Sequence, residues 1–405
     1  MKDNIHLMDI IVIGGSLGGL NAALWLRELG CNVRVFERAE KPLIGLGAGI
    51  VLNPATVRYL AQQPQFDVNA LSVSTQALCY LGTDGAVITE QYVGYRFSSY
   101  NALYRGMLDA FGLTQYQLGH RVTHFEQDTN GVTVHLSNSH TTRCDLLVCA
   151  DGIRSVGRQV LLGEDAKPSY AGYVAWRGIV KPSDIAPERY ALMRNAITYH
   201  LLPNSHMLTY PIPVVDQVDI TIDTPFINWL WYRNVAEGDT LNHLMTDKDN
   251  VRRDLSVGAG AVAHTHVNQL RHEAAALLPP PLNDLIQTTA QPFVQMIVDY
   301  APPHLAFGRV CLIGDAAYVA RPHAAAGSAK ACEDGYQLAL ALQANDFDIS
   351  VALSRWENHQ RQIGEALLQR TRAAGDRSQF SNTWRLGDAL PFGLYQIGDS
   401  EMREA

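Results

Sequence analysis

Short apolar runs and glycine-rich turns alternate along this chain, and their spacing predicts most of its elements. Met8–Ile13 is an apolar run of strand length, Gly14–Gly19 is rich in glycine, and Leu20–Leu29 carries apolar residues at helical spacing as far as Gly30. Asn32–Glu37 reads as a second strand ending on an acid, so a βαβ unit opens the chain. Arg121–Gln127 and Val132–Leu136 alternate about Asn130-Gly131, a hairpin signal. Leu146–Ala150 predicts a buried strand closed by Asp151-Gly152. Tyr173–Thr224 predicts short alternating β segments and no long helix. Glu273–Thr289 has helical spacing interrupted by Pro279-Pro280-Pro281, which predicts a boundary there. Arg309–Ile313 predicts another buried strand before Gly314-Asp315, and helices follow over Gly327–Gln343 and Ser350–Ala373.

The expected fold is α/β, a Rossmann-like nucleotide-binding domain built from discontinuous segments with an inserted β-sheet-rich domain for substrate. The expected boundaries are 1–75, 100–172 and 290–375 for the first domain, 76–99 and 173–289 for the second, and 376–405 for a C-terminal tail. At 405 residues the chain is long enough for both.

Composition narrows the function classes. Hydrophobic residues make up 47% and charged residues 18%, which is globular and argues against disorder. A net charge of −8 spread along the chain argues against a nucleic-acid partner. The six cysteines form no CxxC and no zinc-like spacing with histidine, so no metal is expected and they read as small hydrophobes in a reducing compartment. There is no signal-peptide pattern and no apolar stretch of the roughly 18 residues that a membrane span needs, so a cytoplasmic protein without a membrane partner is expected.

The chemistry sits in the turns. Gly14-Gly15-Ser16-Leu17-Gly18-Gly19 matches the dinucleotide fingerprint, with Ser16 where the second glycine belongs. Little bulk is tolerated there, because the backbone approaches a pyrophosphate at a helix N-terminus. Glu37 stands about 20 residues on, where an acid accepts from a ribose. The fingerprint alone does not separate NAD from FAD. Two later motifs do: Asp151–Arg158 fits DGxxSxxR, and Gly314-Asp315-Ala316 fits GDA.

With those motifs in these positions, the chain resembles the class A flavoprotein aromatic hydroxylases, the para-hydroxybenzoate hydroxylase-like family, over nearly its whole length. The resemblance implies non-covalent FAD, NADH or NADPH as reductant without a second fingerprint, and O2 as co-substrate. The implied reaction is hydroxylation of a small electron-rich aromatic or N-heteroaromatic ring through a flavin C4a-hydroperoxide. It implies a ribityl contact for Asp315, and structural or binding roles for Asp151 and Arg158. It also implies an arginine near the pyrophosphate at Arg105 and a mobile loop beside the flavin at Gly45–Ile50, with Gly47, Ala48 and Gly49 as contacts. Gly14, Ser16, Leu17, Gly19, Arg38 and Val122 join the expected cofactor set, as do Pro322, Ala326, Gly327 and Ser328 in the second flavin loop. A homodimer is the implied assembly. A flavin dehydrogenase or oxidase, or a non-catalytic FAD-binding protein, are the competing readings.

Departures from the family pattern fall around that second loop. Tyr318 replaces a histidine, Ala325 replaces a glycine and Ala329 replaces an asparagine. These, with Ser16, Tyr170–Gly178, Tyr210–Pro213, Asn234–Gly238 and Arg321–Gly327, resemble the branch that hydroxylates dihydroxypyridines. Deprotonating a ring hydroxyl makes the ring more reactive, which calls for a base or relay. His323, beside the flavin loop, is the favoured candidate, with Tyr210 and His206 on the β-rich insertion behind it. Trp176, Trp229 and Trp231 are expected in the core rather than at the substrate.

Overall fold

The computed structural model describes residues 8–45, 49–215 and 220–400. The opening βαβ unit forms as its pattern predicts: strand Asp9–Ile13, helix Leu17–Glu28 and strand Asn32–Phe36. The strands pair in parallel and are buried on both faces, which explains their unbroken apolar runs. Among the described residues they sit in a six-stranded sheet, ordered Ala306–Phe307, Val310–Leu312, Leu146–Cys149, Asp9–Ile13, Asn32–Phe36, Tyr116–Gln117. Helices Leu17–Glu28, Tyr100–Phe111 and Gly327–Ala344 share its hydrophobic core. The expected hairpin is present as Val122–Asp128 with Gly131–Leu136 and gains a third strand, Thr141–Cys144.

Among the described residues a second sheet of nine strands is antiparallel apart from one pair. Its strands Ser169–Val180, Ser205–Val215 and Ile220–Asn234 run to 12, 11 and 15 residues, longer than the short segments expected between Tyr173 and Thr224. Arg177, His206 and Tyr210 within them line a cavity rather than a turn, so these polar residues do not mark strand ends. This sheet also takes in Gly49–Val51 and Phe293–Asp299, which lie in pieces assigned above to the nucleotide-binding domain. Trp229 and Trp231 are fully buried and Trp176 nearly so, all three in the core beneath the sheet.

The prolines after Leu278 mark a corner rather than a boundary. Helix His264–Leu277 stops, and Pro280 begins helix Pro280–Thr288 at a position that lacks an amide acceptor in any case. Helix Ile349–Gln379 runs past position 376, where a tail was expected, and the segment beyond it packs back with Leu390, Phe392 and Leu394 buried. No helix among the described residues is long and apolar enough to cross a membrane, and no group of three or more His, Cys, Asp or Glu among them is placed to hold a metal ion.

Candidate active site

The glycine-rich loop is shaped by close approach. Gly14 sits at φ +95°, and a Cβ on Gly15, Gly18 or Gly19 would overlap the Tyr116 hydroxyl, Ala331 or the Gly14 carbonyl oxygen. Ser16 stands where a side chain is accommodated, its Oγ sharing a hydrogen bond with the Tyr100 hydroxyl at 2.9 Å. The first amides of helix Leu17–Glu28 follow, unsatisfied within the helix and so available to an anion. Glu37 is buried at the end of the next strand and accepts from the Gly15 amide at 2.9 Å and the Ala39 amide at 2.8 Å. A carboxylate with two such bonds retains lone pairs for a ligand hydroxyl.

Asp151 works locally. It accepts from Ser155 Oγ at 2.5 Å and from the Val156 and Gly157 amides at 2.6 and 3.2 Å, which caps helix Val156–Leu162. Burial pushes its carboxyl up, and these hydrogen bonds oppose the shift. Arg158, buried, reaches from that helix to the GDA turn, donating to the backbone carbonyls of Asp315 at 3.0 Å and Ala316 at 3.2 Å. Asp315 lines the central cavity, and burial pushes its carboxyl up to about 6 against the opposing charge of Arg158. The turn is held from behind, where the Gly314 amide donates to Asp334 at 2.8 Å and Lys330 pairs with the same carboxylate.

The second flavin loop is a turn of 3-10 helix, Pro322–Ala324, followed by Ala325 in the left-handed conformation at φ +51°. An alanine there costs about 1 kcal/mol relative to the glycine it replaces. Helix Gly327–Ala344 then begins, with open space beside the Gly327 Cα.

His323 is buried in that turn, and its Nε2 and the Tyr173 hydroxyl share a hydrogen bond of 2.7 Å. Burial pushes the imidazole down to about 3, with Arg321 adding repulsion. The ring of His206, on strand Ser205–Val215, lies 5.7 Å from that of His323, and the Gln379 amide meets its Nδ1 at 3.1 Å. Burial holds His206 well below the ordinary histidine range. The Tyr210 hydroxyl donates to the Gly49 carbonyl at 3.0 Å while its ring stacks on Phe97 at 4.5 Å, and burial raises its pKa. Without ligand, both imidazoles are therefore uncharged but only weakly basic at neutral pH, and Tyr210 keeps its proton.

His323, His206, Tyr210 and Asp315 meet at one cavity of about 420 Å³ between the two sheets, whereas Gly14, Gly19, Glu37, Asp151 and Arg158 are not among its lining residues. Ser16, Leu17 and Asp315 line one side of it, and Pro322, His323 and Ala326–Ser328 continue the wall. His206 and Tyr210 line the large-sheet side. Arg105 lies half-buried on helix Tyr100–Phe111, Val122 is buried under the small hairpin, and Arg38 is exposed; none of the three lines this cavity. Gly47 and Ala48 lie outside the described residues. Gly49 lines the cavity beside Tyr210.

The wall also contains residues that sequence reasoning did not single out: Arg177, Tyr199, Tyr232, Trp384 and Phe392. For Arg177 a signal existed, because Tyr173, Ala175 and Arg177 share one face of strand Ser169–Val180 by their period of two. Trp384 and Phe392 had none; they come from the segment after the last helix and reach the cavity only by folding back.

An FAD fits these features. The cradle has no room for Cβ atoms, the helix N-terminus offers unpaired amides, and a buried carboxylate in the GDA turn lines the same cavity. The model of an FAD binding domain matches residues 7–185, and an FAD binding domain-like model matches 170–299. The chain is 36% identical to 2,6-dihydroxypyridine 3-monooxygenase of Paenarthrobacter nicotinovorans, over 96% of each chain. It is 30% identical to an FAD-dependent urate hydroxylase of Klebsiella pneumoniae, over 86% of this chain and 85% of that one. The solved structure of 2,6-dihydroxypyridine-3-hydroxylase from Arthrobacter nicotinovorans superposes with a TM-score of 0.90, covering 96% of this chain and 98% of the other. The chain therefore belongs to the class A flavoprotein aromatic hydroxylases, and is an FAD-dependent monooxygenase that uses NAD(P)H and O2 to hydroxylate an aromatic ring.

Proposed function

We propose that the substrate is a single ring, a hydroxylated pyridine or a phenol, taken into the 420 Å³ cavity between the sheets. The observation that carries this reading is the joining of the two ends of that cavity. Cofactor turns from opposite ends of the chain form one side, and an imidazole- and tyrosine-lined wall forms the other. The 2,6-dihydroxypyridine 3-monooxygenase relative supports a hydroxylated N-heteroaromatic ring.

The amides of Ser16 and Leu17 hold the FAD pyrophosphate at the helix N-terminus, with Gly14 and Gly19 giving the backbone its approach. Glu37 accepts from the adenosine ribose with Arg38 beside it, and Asp315 accepts from the ribityl chain. Ala326, Gly327 and Ser328 would bring amides to the flavin edge, with Pro322 stiffening the loop ahead of them and Gly49 lining the same cavity. Asp151 and Arg158 shape the turn that carries Asp315, while Arg105 and Val122 support the site from outside the cavity. When bound, FAD supplies the electrons and the activation of O2.

The remaining tasks fall to side chains. With its proton on Nε2 and donated to Tyr173, His323 leaves Nδ1 to accept from a ring hydroxyl, which draws electron density into the ring. A negative ring beside it raises the low pKa of His323, so its basicity rises when substrate is in place. His206 and Tyr210 flank and orient the ring. The proposed setting is cytoplasmic, in keeping with six free, buried cysteines. The proposed assembly is a homodimer, as the family resemblance implies; sedimentation reads the latter.

The test is a panel of hydroxylated pyridines and phenols with the purified holoenzyme. NADH oxidation should be stimulated, with one hydroxylated product formed per NADH consumed. Stimulation without product across the whole panel would overturn the substrate reading.

A further inference from the structure

We infer that Arg177 is an anion anchor of the substrate pocket, and that the ring is bound as a planar aromatic carrying one negatively charged oxygen. This rests on the proposed function and deepens it, since it assigns a charge state to the substrate.

Arg177 is placed on an apolar face. Its strand alternates, with Val174, Trp176 and Val180 in the core on one side and Ala171, Tyr173 and Ala175 on the other. Arg177 continues the second row into the cavity. Its register neighbours are Leu230 on one side and Phe293 on the other. A guanidinium set among such residues is costly to desolvate unless an anion or several acceptors meet it. The chain supplies only neutral partners: one N–H donates to Gln295 Oε1 at 3.2 Å, the Tyr210 hydroxyl is within hydrogen-bonding reach, the guanidinium carbon lies 5.8 Å from the centroid of the Phe293 ring, and Nε is buried with no hydrogen-bond partner. Among the described residues no carboxylate forms an ion pair with it, and it is the only lysine or arginine lining the cavity.

The surroundings on the substrate side carry no negative charge to neutralise it. The tyrosines nearby are neutral hydroxyls, because burial raises the pKa of both Tyr210 and Tyr232. Both cavity histidines are neutral, and Asp315 belongs to the cofactor turn. A cation that meets only neutral partners on the substrate side of the cavity selects an anionic oxygen in the ligand. Guanidinium suits either a ring carboxylate, which accepts two parallel N–H bonds in plane, or a ring oxyanion, whose single oxygen accepts one N–H or two converging ones. The oxyanion is also the electron-rich form that an electrophilic oxygen attacks most readily.

Perturbation of the flavin absorbance in the holoenzyme reads ligand binding. Two matched pairs separate the two sources of charge: 2,6-dihydroxypyridine with 2,6-diaminopyridine, and 6-hydroxynicotinate with 6-hydroxynicotinamide. Arg177→Met should weaken binding of the anionic member of at least one pair by about 10- to 100-fold, the worth of a charge-assisted hydrogen bond. The neutral member should change by no more than about threefold, and Arg177→Lys should fall between. Loss on the first pair assigns a ring oxyanion, and loss on the second assigns a carboxylate. Arg177→Gln, checked for full flavin content, guards against a folding defect. Equal losses for anion and neutral, no loss for either, or a loss confined to NADH would each overturn the anchor. A parent enzyme that turns over the panel above while Arg177→Met keeps the anion preference sinks the anchor alone; a parent that hydroxylates none of the panel sinks the substrate reading instead.

Discussion

Arg158 donates through Nη1 to the backbone carbonyl of Asp315 at 3.0 Å, across 157 positions of sequence. It also donates to the Ala316, Ala166 and Ile153 carbonyls and lies 4.4 Å from the centroid of the Tyr300 ring. The last residue of the DGxxSxxR motif thus holds the GDA turn in place. Two segments distant in sequence form one site because one guanidinium satisfies carbonyls in both.

Arg158→Met should therefore act on both turns. It leaves several buried carbonyls without a donor, a loss of roughly 2–4 kcal/mol in unfolding free energy. Denaturant unfolding checks the stability, and fluorescence titration with FAD should show weaker binding than in the parent. A variant with parental FAD affinity would detach Arg158 from the cofactor turn.

Asp315 has its pKa raised to about 6, so the folded chain without ligand binds this proton more tightly than the unfolded chain does. An acid raised in this way contributes stability that is fully present below its unfolded pKa near 4 and is lost as pH rises through about 6. Over that window the flavin-free protein should lose on the order of 2–3 kcal/mol from this group. Asp315→Asn should flatten this part of the pH profile and also lower FAD affinity. An unchanged slope between pH 4 and 7 in the variant would contradict the assignment.

For His323 the sign is reversed. Its pKa is depressed to about 3, so its contribution to stability is present above about 6.5 and is lost as pH falls toward 3. No acid limb near pH 6 in the rate profile of the ligand-free enzyme should belong to it. His323→Asn should leave flavin reduction by NADH intact and slow product formation by about 10²–10⁴-fold, the range of general-base catalysis. Hydrogen peroxide released in place of product checks the uncoupling. Parental hydroxylation would leave His323 a loop-shaping residue.

Two glycines separate fold from cofactor. Gly19→Ala places a methyl on the Gly14 carbonyl, and backbone cannot swing aside, so a loss of about 3 kcal/mol or more is expected. Gly327→Ala meets open space and should hold stability within about 0.5 kcal/mol of the parent. It should still weaken FAD binding, because its new methyl projects beside the cavity-lining loop. Thermal melts and FAD titration on the same samples distinguish the two.

Trp384 contacts His206 at 4.9 Å and Tyr199 at 5.6 Å between ring centroids, so the segment after the last helix walls the cavity. It is pinned where the Gly393 amide donates to the Ala324 carbonyl at 3.0 Å and where Arg370 donates to the Leu394 carbonyl at 2.9 Å. Trp384→Ala should open the pocket, weakening binding of one-ring substrates and admitting bicyclic ones such as hydroxyquinolines. Steady-state kinetics on both ring sizes reads the change; a variant with unchanged preference would place the wall elsewhere.

Local chemistry was enough to place the cofactor half of the molecule. A turn that excludes Cβ atoms needs glycine, and a strand buried on both faces is apolar throughout. The Gly14–Gly19 loop and the strands Asp9–Ile13 and Leu146–Cys149 are therefore readable one residue at a time. His323, beside the flavin loop, and His206 and Tyr210 on the β-rich insertion were named from sequence as candidates for a base or relay, and all three line the cavity. Their protonation was not legible there, because it depends on burial by segments far away in sequence. Arg177 reads as an ordinary strand residue until its facing neighbours are known, and Trp384 reads as a tail residue until the chain folds back. Desolvation and missing partners are properties of the assembled cavity, and only the tertiary structure decides them.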